Sequence, residues 1–429
     1  MHCPRKDKSS PLFPATQAPT SELVRYMAKH THLLHKVCLS FLCSSTVLFA
    51  GSIAKADNNV EIYGGVDIGI SYVHTSGTGS SASRIGMDSN VLDDTMIGFR
   101  GSQALSRDWS VNFNLASEFD LNNGQLTYDS FFGIESTIGL NRHRWGGLKL
   151  GRQQTISTTF LTNIDPMGLS FGQANMGTSF TAINTQIYDN LAQFTSAPWA
   201  GLQLGVGYSF NTGDTAIYAD TGITDPVPSD NGFASSDKMR ALTAALQYQN
   251  GPVLLAASYD RAYPSSQIPV AGSPGTTANA QTSDPQAWYF GAAVTIDKVV
   301  FSAAWGRGIN GALSGSGPGN DLTDSPLASL TGAGDILFDT GFNHDAYLLG
   351  LSWAIDDRTQ LMTSWQMMKP KGKLTGIAGT ASQHIIGAAL TYNLSPRTTA
   401  YIWGSYGNNF QMVSGAKTSV VGTGLQTLF

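Results

Sequence analysis

Residues 419–429, SVVGTGLQTLF, alternate apolar residues with small or polar ones up to the last residue of the chain. In an extended strand, such alternation places every second side chain on the same face. If that face meets hydrocarbon, the strand must pair along both edges, because lipid offers no water to unpaired backbone groups. We therefore predict that this strand pairs with the first one, near EIYGGVDIGI at 61–70, so that the sheet closes. The predicted lipid-facing residues are Val421, Thr423, Leu425 and Phe429.

The composition favours a β-protein whose apolar residues are dispersed along the chain. Of 429 residues, 41% are hydrophobic, 13% are charged and 47 are glycine, whereas soluble domains carry about 25% charged residues. The mean hydropathy is only -0.07. Beyond residue 60 the sequence has no run of about 18 apolar residues, which a membrane-spanning helix would need. Low charge without long apolar runs is typical of alternating strands.

Residues 1–56 differ from the rest of the chain and are predicted to contain a cleaved secretory signal peptide. From Met27 the sequence has a basic start, an apolar core and a small-residue cleavage motif, which are the three parts of such a signal. These parts are Lys29 and Lys36, residues 37–50, and the triplet Ala54-Lys55-Ala56. We expect cleavage before Asp57, with residues 1–26 as an N-terminal extension and residues 57–429 as the mature domain. A transmembrane anchor is the alternative.

Removal of residues 1–56 changes both the charge and the cysteine count. That segment holds 7 of the 25 Lys and Arg residues and 2 of the 30 Asp and Glu residues, so 18 basic and 28 acidic residues remain and the net charge becomes -10. Nucleic acid is not an expected partner of so acidic a chain, because its binding depends on basic side chains at phosphates. All three cysteines lie in the removed segment, at Cys3, Cys38 and Cys43. Disulfides and thiolate chemistry are therefore excluded from the mature chain.

Sixteen alternating segments follow one another in the mature chain. They begin at residues 59, 95, 109, 130, 147, 190, 201, 239, 252, 287, 299, 345, 359, 382, 398 and 417. Short and long connections alternate between them, as in membrane barrels with short periplasmic turns and long external loops. The seven short connections are Ser106–Asp108, Arg144–Gly146, Pro198–Ala200, Asn250–Gly251, Asp297–Lys298, Asp356–Arg358 and Ser395–Arg397. We predict an all-β fold, a 16-stranded antiparallel transmembrane β-barrel with both chain ends on the periplasmic side. A soluble β-sandwich or propeller is the alternative.

Tyrosine and tryptophan lie near the ends of these segments, where barrels form aromatic girdles at the two lipid–water boundaries. Glycine and alanine share the opposite face in segments such as GVGYSF at 205–210, and this face is expected to line the lumen. The predicted girdle residues are Tyr63, Tyr72, Trp109, Tyr208, Trp288, Trp305, Trp353, Trp365, Trp403 and Tyr406.

Four segments resemble the general, trimeric outer-membrane porins of Gram-negative bacteria. In the family's order they are VEIYGGVDIGISY (60–72), MIGFRGSQAL (96–105), GLKLGRQ (147–153) and AQFTSAPWAGLQLGVGYSF (192–210). The resemblance covers the whole mature chain. It implies a bacterial outer-membrane location, a homotrimer and a water-filled channel for passive diffusion of ions and small hydrophilic solutes. It also implies contact with outer-membrane lipid and lipopolysaccharide, and a terminal Phe429 that is read by the barrel-assembly machinery.

In these porins the third long loop folds into the barrel, so the resemblance implies an in-folded third loop at about 154–186. Asp165 is the only acidic residue of that loop and is expected to face the aperture, opposite a ladder of arginines on the wall. Carboxylate and guanidinium groups on opposite sides create a transverse field that sorts permeating ions. Because an Asp before a proline is a common turn start, a turn cap before Pro166 is the alternative role of Asp165.

Arg152 matches one arginine of the family's ladder. Alternation with Leu148 and Leu150, however, places Arg152 on the lipid face, where a charge at mid-membrane costs about 2–4 kcal/mol. A β-bulge, or the end of the strand at Gly151, would remove this conflict.

Two other positions of the predicted pore constriction depart from the family, since Met96 and Ile187 stand where arginines are usual. Arg100 shares the inward register of Met96, with a salt bridge near the periplasmic rim as its alternative role. Because the constriction lacks two of the usual arginines and the net charge of the mature chain is negative, we expect the channel to prefer cations. Other wall bases that could substitute for the missing arginines are Lys149, Arg240 and Arg307.

Catalytic and metal-binding motifs such as HExxH, paired CxxC and GxxxxGK[ST] do not occur in the sequence. The acidic residues between Asp214 and Asp237 could bind Ca²⁺, but their spacing fits no chelating loop, so a solvated external loop is expected. The mature chain has four dispersed histidines, His74, His143, His344 and His384. We therefore expect neither enzyme activity nor a cofactor nor a metal. A substrate-specific channel, or an outer-membrane hydrolase or adhesin built on a barrel, remains the alternative.

Overall fold

The computed structural model describes residues 59–77, 80–128, 130–183, 187–212, 240–263, 267–269, 277–279, 284–311, 313, 341–373 and 379–429. The predicted signal peptide and extension at 1–56, and the acidic loop from Asp214 to Asp237, lie outside these residues. Within the described ranges no helix is long and apolar enough to span a membrane.

Strands make up most of the described chain. They are β1 Asn59–Gly77, β2 Ser80–Ser89, β3 Met96–Ala104, β4 Trp109–Glu118, β5 Glu135–Arg142, β6 Gly146–Gln154, β7 Ile187–Ser196, β8 Leu202–Ser209, β9 Arg240–Asn250, β10 Val253–Tyr263, β11 Gln267–Pro269, β12 Thr277–Asn279, β13 Gln286–Ile296, β14 Val299–Ile309, β15 Asn343–Ala354, β16 Thr359–Pro370, β17 Gln383–Asn393, β18 Thr398–Asn408 and β19 Lys417–Leu428. Seventeen strands form one sheet, and β11 and β12 form a separate hairpin. Strands β2 and β3 pair with successive parts of the same edge of β1, so together they count as one strand of the barrel wall and the seventeen strands form sixteen staves. The wall is therefore the predicted 16-stranded antiparallel barrel.

The sheet closes between its first and last strands. Strand β19 pairs with β1 from Gly65 opposite Leu428 to Ser76 opposite Lys417, and the N–H of Phe429 donates to the carbonyl of Gly64 at 3.0 Å. The first and last strands are thus paired along most of their length, which confirms the predicted pairing of the terminal strand.

The outer face of the closed sheet is apolar. Ile70 is 56% exposed and Val421 is 51% exposed, whereas Asp67 and Ser71, on the other face of β1, are buried. A continuous apolar band on a closed barrel is stable against hydrocarbon rather than water. The strands are therefore membrane-spanning, and the seven short connections all lie at the same end of the barrel.

The largest departure from prediction lies between the first two predicted segments. In place of a long loop, β1 extends to Gly77 and β2 returns along it, so this hairpin lengthens the wall. Residues 90–95 then leave the sheet before β3 begins. The carboxylate of Asp67 holds this excursion by accepting two of its backbone N–H groups. The sequence did not indicate β2 because serine, glycine and aspartate are poor strand formers.

Predicted girdle residues Tyr63 and Trp403 point into the barrel. Both are only 7% exposed, because each alternates with an outward-facing isoleucine, Ile62 and Ile402, which are 60% and 54% exposed. The prediction that these two residues belong to the girdles is wrong. The girdle prediction fits five others, which are between 39% and 44% exposed on the outer face, namely Tyr72, Trp109, Trp288, Trp353 and Tyr406.

Candidate functional site

The third long connection folds into the barrel, as predicted. Residues 155–183, called the interior loop below, form helix α1 (Ile156–Leu161) and then four short 3-10 turns. The side chain of Thr155 caps α1 by accepting the N–H of Thr158 at 3.2 Å. The 3-10 turns span Thr162–Ile164, Gly172–Ala174, Met176–Thr178 and Thr181–Ile183.

Glycines on the inner wall let the interior loop lie directly against the sheet. A Cβ atom at Gly350 would lie 2.3 Å from the Cγ of Pro166, and one at Gly387 would lie 2.4 Å from the Cβ of Ala174. These separations are shorter than van der Waals contact, so a larger side chain at either glycine would displace the loop. The glycines are therefore needed for close approach of two backbones.

Aromatic side chains of the interior loop anchor it to two separate parts of the wall. Phe171 packs with Tyr401 and Trp403 of β18, at ring-centre distances of 5.8 and 6.1 Å. Phe180 packs with Tyr289 of β13 at 5.2 Å. Both phenylalanines are fully buried, so these contacts contribute a large share of the loop's hydrophobic stabilisation.

Polar anchors fix the backbone of the interior loop between these aromatic contacts. The side-chain amide of Gln366 on β16 donates to the carbonyls of residues 173, 174 and 175 at 3.1, 3.2 and 2.7 Å. At the tip of the loop, the N–H of Phe171 donates to the carbonyl of Val91 in the excursion between β2 and β3, at 2.7 Å. Helix α1 lies against β9 and β10. The interior loop thus covers the inner wall from β9 round to β18.

The uncovered wall, formed by β3 to β6 and the start of β1, carries a chain of inward-facing polar side chains. The hydroxyl of Tyr63 donates to Asn114 at 2.6 Å, and the amide of Asn114 donates to Glu135 at 2.8 Å. The other oxygen of Glu135 accepts from Lys149 at 2.9 Å and from Thr137 at 2.7 Å. Lys149 therefore lies on the wall of the lumen, as predicted, and a carboxylate neutralises it.

Arg100 extends this chain towards the periplasmic end. Its Nε donates to Glu61 at 2.8 Å, and its guanidinium carbon lies 4.8 Å from the ring centre of Tyr63. Glu61 is the third residue of β1, close to the end of the barrel that carries the short turns. Arg100 thus forms the ion pair that was the alternative to a constriction role.

The carboxylate of Asp165 is hydrogen-bonded to the backbone of the interior loop. Asp165 is 6% exposed, and its carboxylate accepts the N–H groups of Met167, Leu169 and Met176 at 3.1, 2.8 and 3.1 Å. This geometry is that of the turn cap considered as the alternative. Since Asp165 is the only charged residue between 155 and 183, the loop presents an uncharged surface to the lumen, including the exposed Asn163.

The ionisation of Asp165 predicts a pH-dependent interior loop. Burial raises the pKa of this carboxyl to about 6 from its ordinary value of 3.8, although its hydrogen bonds from backbone N–H groups oppose the shift. The docked loop therefore binds a proton more tightly than the released loop, and docking is strongest below about pH 4 and weakens as the pH rises through 6. The difference of about two pKa units corresponds to about 3 kcal/mol.

We expect brief conductance fluctuations in single channels to become more frequent between pH 4 and pH 7.5. The Asp165→Asn variant should lose this dependence, because its side chain does not titrate. An equal pH dependence in the variant would assign the effect to another group.

Arg152 lies on the outer face of the wall. It stands directly opposite Ser136, two residues beyond the outward-facing Leu150, which is 45% exposed. A bulge follows Gly151, where the pairing with β7 shifts register. This bulge was one of the predicted solutions to the conflict of charge and lipid, yet it leaves Arg152 on the outer register.

The charge of Arg152 is instead satisfied locally. Its guanidinium donates to Asp189 of β7 and to the carbonyl of Gly133, both at 2.6 Å, and lies 5.4 Å from the ring centre of Tyr128. These partners belong to β7 and to the long connection between β4 and β5. The structure does not bring Arg152 together with Asp165.

Met96 and Ile187 lie on different faces. Met96 begins β3 on the inner face, opposite Glu118 of β4, so a carboxylate lies across from this position. Ile187 begins β7 opposite Gln154, and its neighbour Tyr188 is the residue that turns inward and is 5% exposed. Only Met96 of this pair lines the lumen.

Of the three wall bases considered as substitutes, only Lys149 faces inward. Arg240 pairs with Tyr263 and alternates with the buried Ala241, and Arg307 alternates with the buried Gly306 and Gly308. Both arginines therefore lie on the outer register.

Sequence reasoning missed Glu61 and Glu135, the carboxylates that accept from Arg100 and Lys149. Alternation alone places both on the inner face, beside the outward-facing Ile62 and Ser136. What was missing is the register between strands, which decides that Glu61 lies opposite Arg100 and that Glu135 reaches Lys149.

In the parts of the chain that the structure describes, no group of three or more His, Cys, Asp or Glu side chains is arranged to hold a metal ion. Along β1 and β3 to β6, the side chains of Tyr63, Asn114, Glu135 and Lys149 are instead joined by hydrogen bonds and an ion pair.

Comparison with known proteins agrees with this architecture. The family model described as Gram-negative porin matches residues 43–409. An outer membrane porin protein of Bordetella pertussis is 35% identical over 393 residues, which cover 89% of this chain and 97% of that protein. The anion-selective porin from Comamonas acidovorans has a similar fold, with a TM-score of 0.63 at 19% identity over 87% of this chain and 100% of that one. The outer membrane channel DcaP of Acinetobacter baumannii has a TM-score of 0.58 at 13% identity, over 89% of this chain and 100% of that one. The chain belongs to the Gram-negative porin family and is an outer-membrane porin channel.

Proposed function

We propose that this porin passes small hydrophilic solutes and ions by diffusion through an aperture with one charged side. The interior loop, whose lumen-facing surface is uncharged, bounds the aperture on one side, and the ion-paired wall of β1 and β3 to β6 bounds it on the other. The observation that carries this proposal is the capping of Asp165 by three backbone N–H groups. Because the only carboxylate of the loop is held inside the loop's own fold, the loop narrows the aperture but contributes little to the electric field in the lumen.

Selectivity then depends on the wall, and the balance of wall charges favours cations. Among the described strands, the inward-facing bases are Arg84, Arg100 and Lys149. Each has a carboxylate within hydrogen-bonding distance, and the partners are Asp88 at 2.6 Å, Glu61 at 2.8 Å and Glu135 at 2.9 Å. Further inward-facing carboxylates on these strands are Asp67, Glu118 and Asp260, all of which are buried. Because acids outnumber bases among the inward-facing residues of the described strands, we expect a negative potential in the lumen.

The reversal potential across a planar bilayer in a KCl gradient tests this proposal. We expect a preference for K⁺ over Cl⁻ that weakens at high salt, since salt screens wall charges. A preference for Cl⁻ would contradict it; the Comamonas porin, which is called anion-selective, provides the comparison. A single sugar or organic acid that blocks the current at low concentration would instead favour a substrate-specific channel.

We further infer that the chain is not an enzyme, because the family is one of channels. A homotrimer, contact with lipopolysaccharide and recognition of Phe429 by the barrel-assembly machinery are proposed on the same ground. Phe429 is 51% exposed at the end of the closing strand, which supports its role as an assembly signal. No part of this proposal requires a cofactor.

A further inference from the structure

The excursion at residues 90–95 is a second piece of chain inside the barrel, separate from the interior loop. It lies over the inner face of β1, where one oxygen of the Asp67 carboxylate accepts two of its backbone N–H groups. The hydroxyl of Thr95 donates to the carbonyl of Asp67 at 3.0 Å. The other carboxylate oxygen of Asp67 accepts from the hydroxyl of Tyr401 on β18 at 2.7 Å. A buried carboxylate thus fixes the excursion to the inner wall.

The excursion joins the interior loop to the uncovered wall. At one end, the hydroxyl of Ser170 in the interior loop donates to the carbonyl of Leu92 at 2.6 Å. At the other end, the side-chain amide of Asn90 donates to Glu118 of β4 at 2.8 Å. The loop and the excursion therefore form one continuous inner rim, and the excursion lies at the edge of the aperture.

This joining segment carries two adjacent carboxylates, those of Asp93 and Asp94. Both side chains are partly exposed. Asp93 accepts from the side-chain amide of Gln426 on β19 at 3.2 Å and from the N–H of Asp94 at 2.9 Å. Within the described part of the chain, no base forms an ion pair with either residue, and the carboxylate of Asp94 accepts no hydrogen bond. The negative charge of this pair is therefore not cancelled locally.

The surroundings of the pair supply no free base. The titratable groups that face it are Asp67 on β1, the ion pair of Arg84 with Asp88 on β2, Glu118 on β4 and Tyr401 on β18. The interior loop adds no charge, because its own backbone takes up Asp165. Burial, followed by repulsion from neighbouring carboxylates, raises the pKa of Asp93 and of Asp94. Both residues therefore become charged at a higher pH than an ordinary aspartate, whose pKa is about 3.9.

We propose that Asp93 and Asp94 are selectivity-determining residues of the aperture, and that the excursion, not the interior loop, places negative charge at its edge. An ion pair on the wall acts at a distance as a dipole, whereas these unpaired carboxylates attract K⁺ and repel Cl⁻ as whole charges. The inference rests on the proposed function, to which it adds a source of cation preference besides the wall glutamates.

Reversal potentials in a KCl gradient, at about pH 5 and about pH 9, test this role with the D93N/D94N variant. Asparagine keeps the shape of both side chains and removes their charge. At the higher pH and low salt, the permeability ratio of K⁺ to Cl⁻ should be about tenfold lower than in the wild type. At the lower pH the two proteins should agree, because the wild-type carboxyls are then protonated.

The single variant Asp94→Asn should show part of this loss. Its carboxylate accepts no hydrogen bond from the described residues, so the change leaves the contacts of the excursion intact. This variant keeps the test decisive if the double variant does not fold.

D356N/D357N is the matched control, because Asp356 and Asp357 are adjacent, exposed aspartates in a short turn at the end of the barrel. It removes the same charge outside the aperture and should keep the wild-type ratio at both pH values. E61Q/E135Q should lower the ratio at both pH values and keep the difference between them. A wild-type ratio in D93N/D94N at the higher pH, or an equal loss in the control, would overturn the proposal.

Single-channel conductance shows whether the excursion stays in place. A lower ratio together with a larger conductance at both pH values would also overturn the proposal, because a displaced excursion widens the aperture. If the wild type prefers Cl⁻, the proposed cation preference fails. The role of the excursion is then still decided by whether D93N/D94N moves the ratio further towards Cl⁻ at the higher pH only.

Discussion

The double variant E61Q/E135Q is expected to convert the pore from cation to anion preference. These two carboxylates accept from Arg100 at 2.8 Å and from Lys149 at 2.9 Å, and glutamine keeps their shape while removing their charge. A unit charge roughly 6 Å from an ion in water changes its energy by about 0.7 kcal/mol, in opposite directions for K⁺ and Cl⁻. Each removed charge should therefore change the permeability ratio by about tenfold at low salt, and by less at 1 M.

The reversal potential in a KCl gradient measures this effect, and the single-channel conductance shows whether the aperture remains open. D189N/D284N is the matched control, because it removes the carboxylate partners of Arg152 and Arg261 on the outer face. It frees two bases, as the test variant does, but outside the lumen. Equal shifts in both double variants would mean that the charge of the whole protein, rather than of the wall, sets selectivity.

Alternation predicted the barrel because a membrane constrains every strand in the same way. A strand such as β17, QHIIGAALTYN, shows its two faces directly in the sequence, with outward residues such as Ile386 and Leu390 between buried ones. The same rule did not reveal β2, because Ile85 and Met87 are its only large apolar residues and the rest are serine and other small or polar residues. It also failed for Tyr63 and Trp403, because an aromatic residue near a strand end can as well line the lumen.

The candidate site was less predictable because it depends on contacts between distant strands. The sequence identified Asp165 as the acidic residue of the interior loop, but not that three N–H groups of the loop itself would take up its carboxylate. It identified Arg100 and Lys149, but the register that supplies Glu61 and Glu135 is a property of the closed sheet. Alternation placed Arg152 correctly on the outer face. Its assignment to the arginine ladder of the pore wall came only from the family resemblance.

Removal of the main polar anchor should release the middle of the interior loop. In Gln366→Leu, a side chain of similar size replaces a fully buried amide that donates to three loop carbonyls. Loss of these donors in a buried site is expected to weaken docking by about 2–4 kcal/mol. Because Phe171 and Phe180 still anchor the loop on either side of residues 173–175, we expect a noisy channel with frequent transitions to a larger conductance, and not an unfolded barrel.

Gln360→Leu provides the control on the same strand. Gln360 donates to Ser352 at 2.7 Å, at the far end of β16 from the interior loop, so the substitution removes an amide without touching the loop. Its conductance should equal that of the wild type, and both variants should keep the heat-resistant folded band of a closed barrel. If Gln366→Leu also conducts as the wild type does, the glycine and aromatic contacts alone hold the loop. The aperture would then be set by apolar packing, and the pH dependence expected from Asp165 would be correspondingly small.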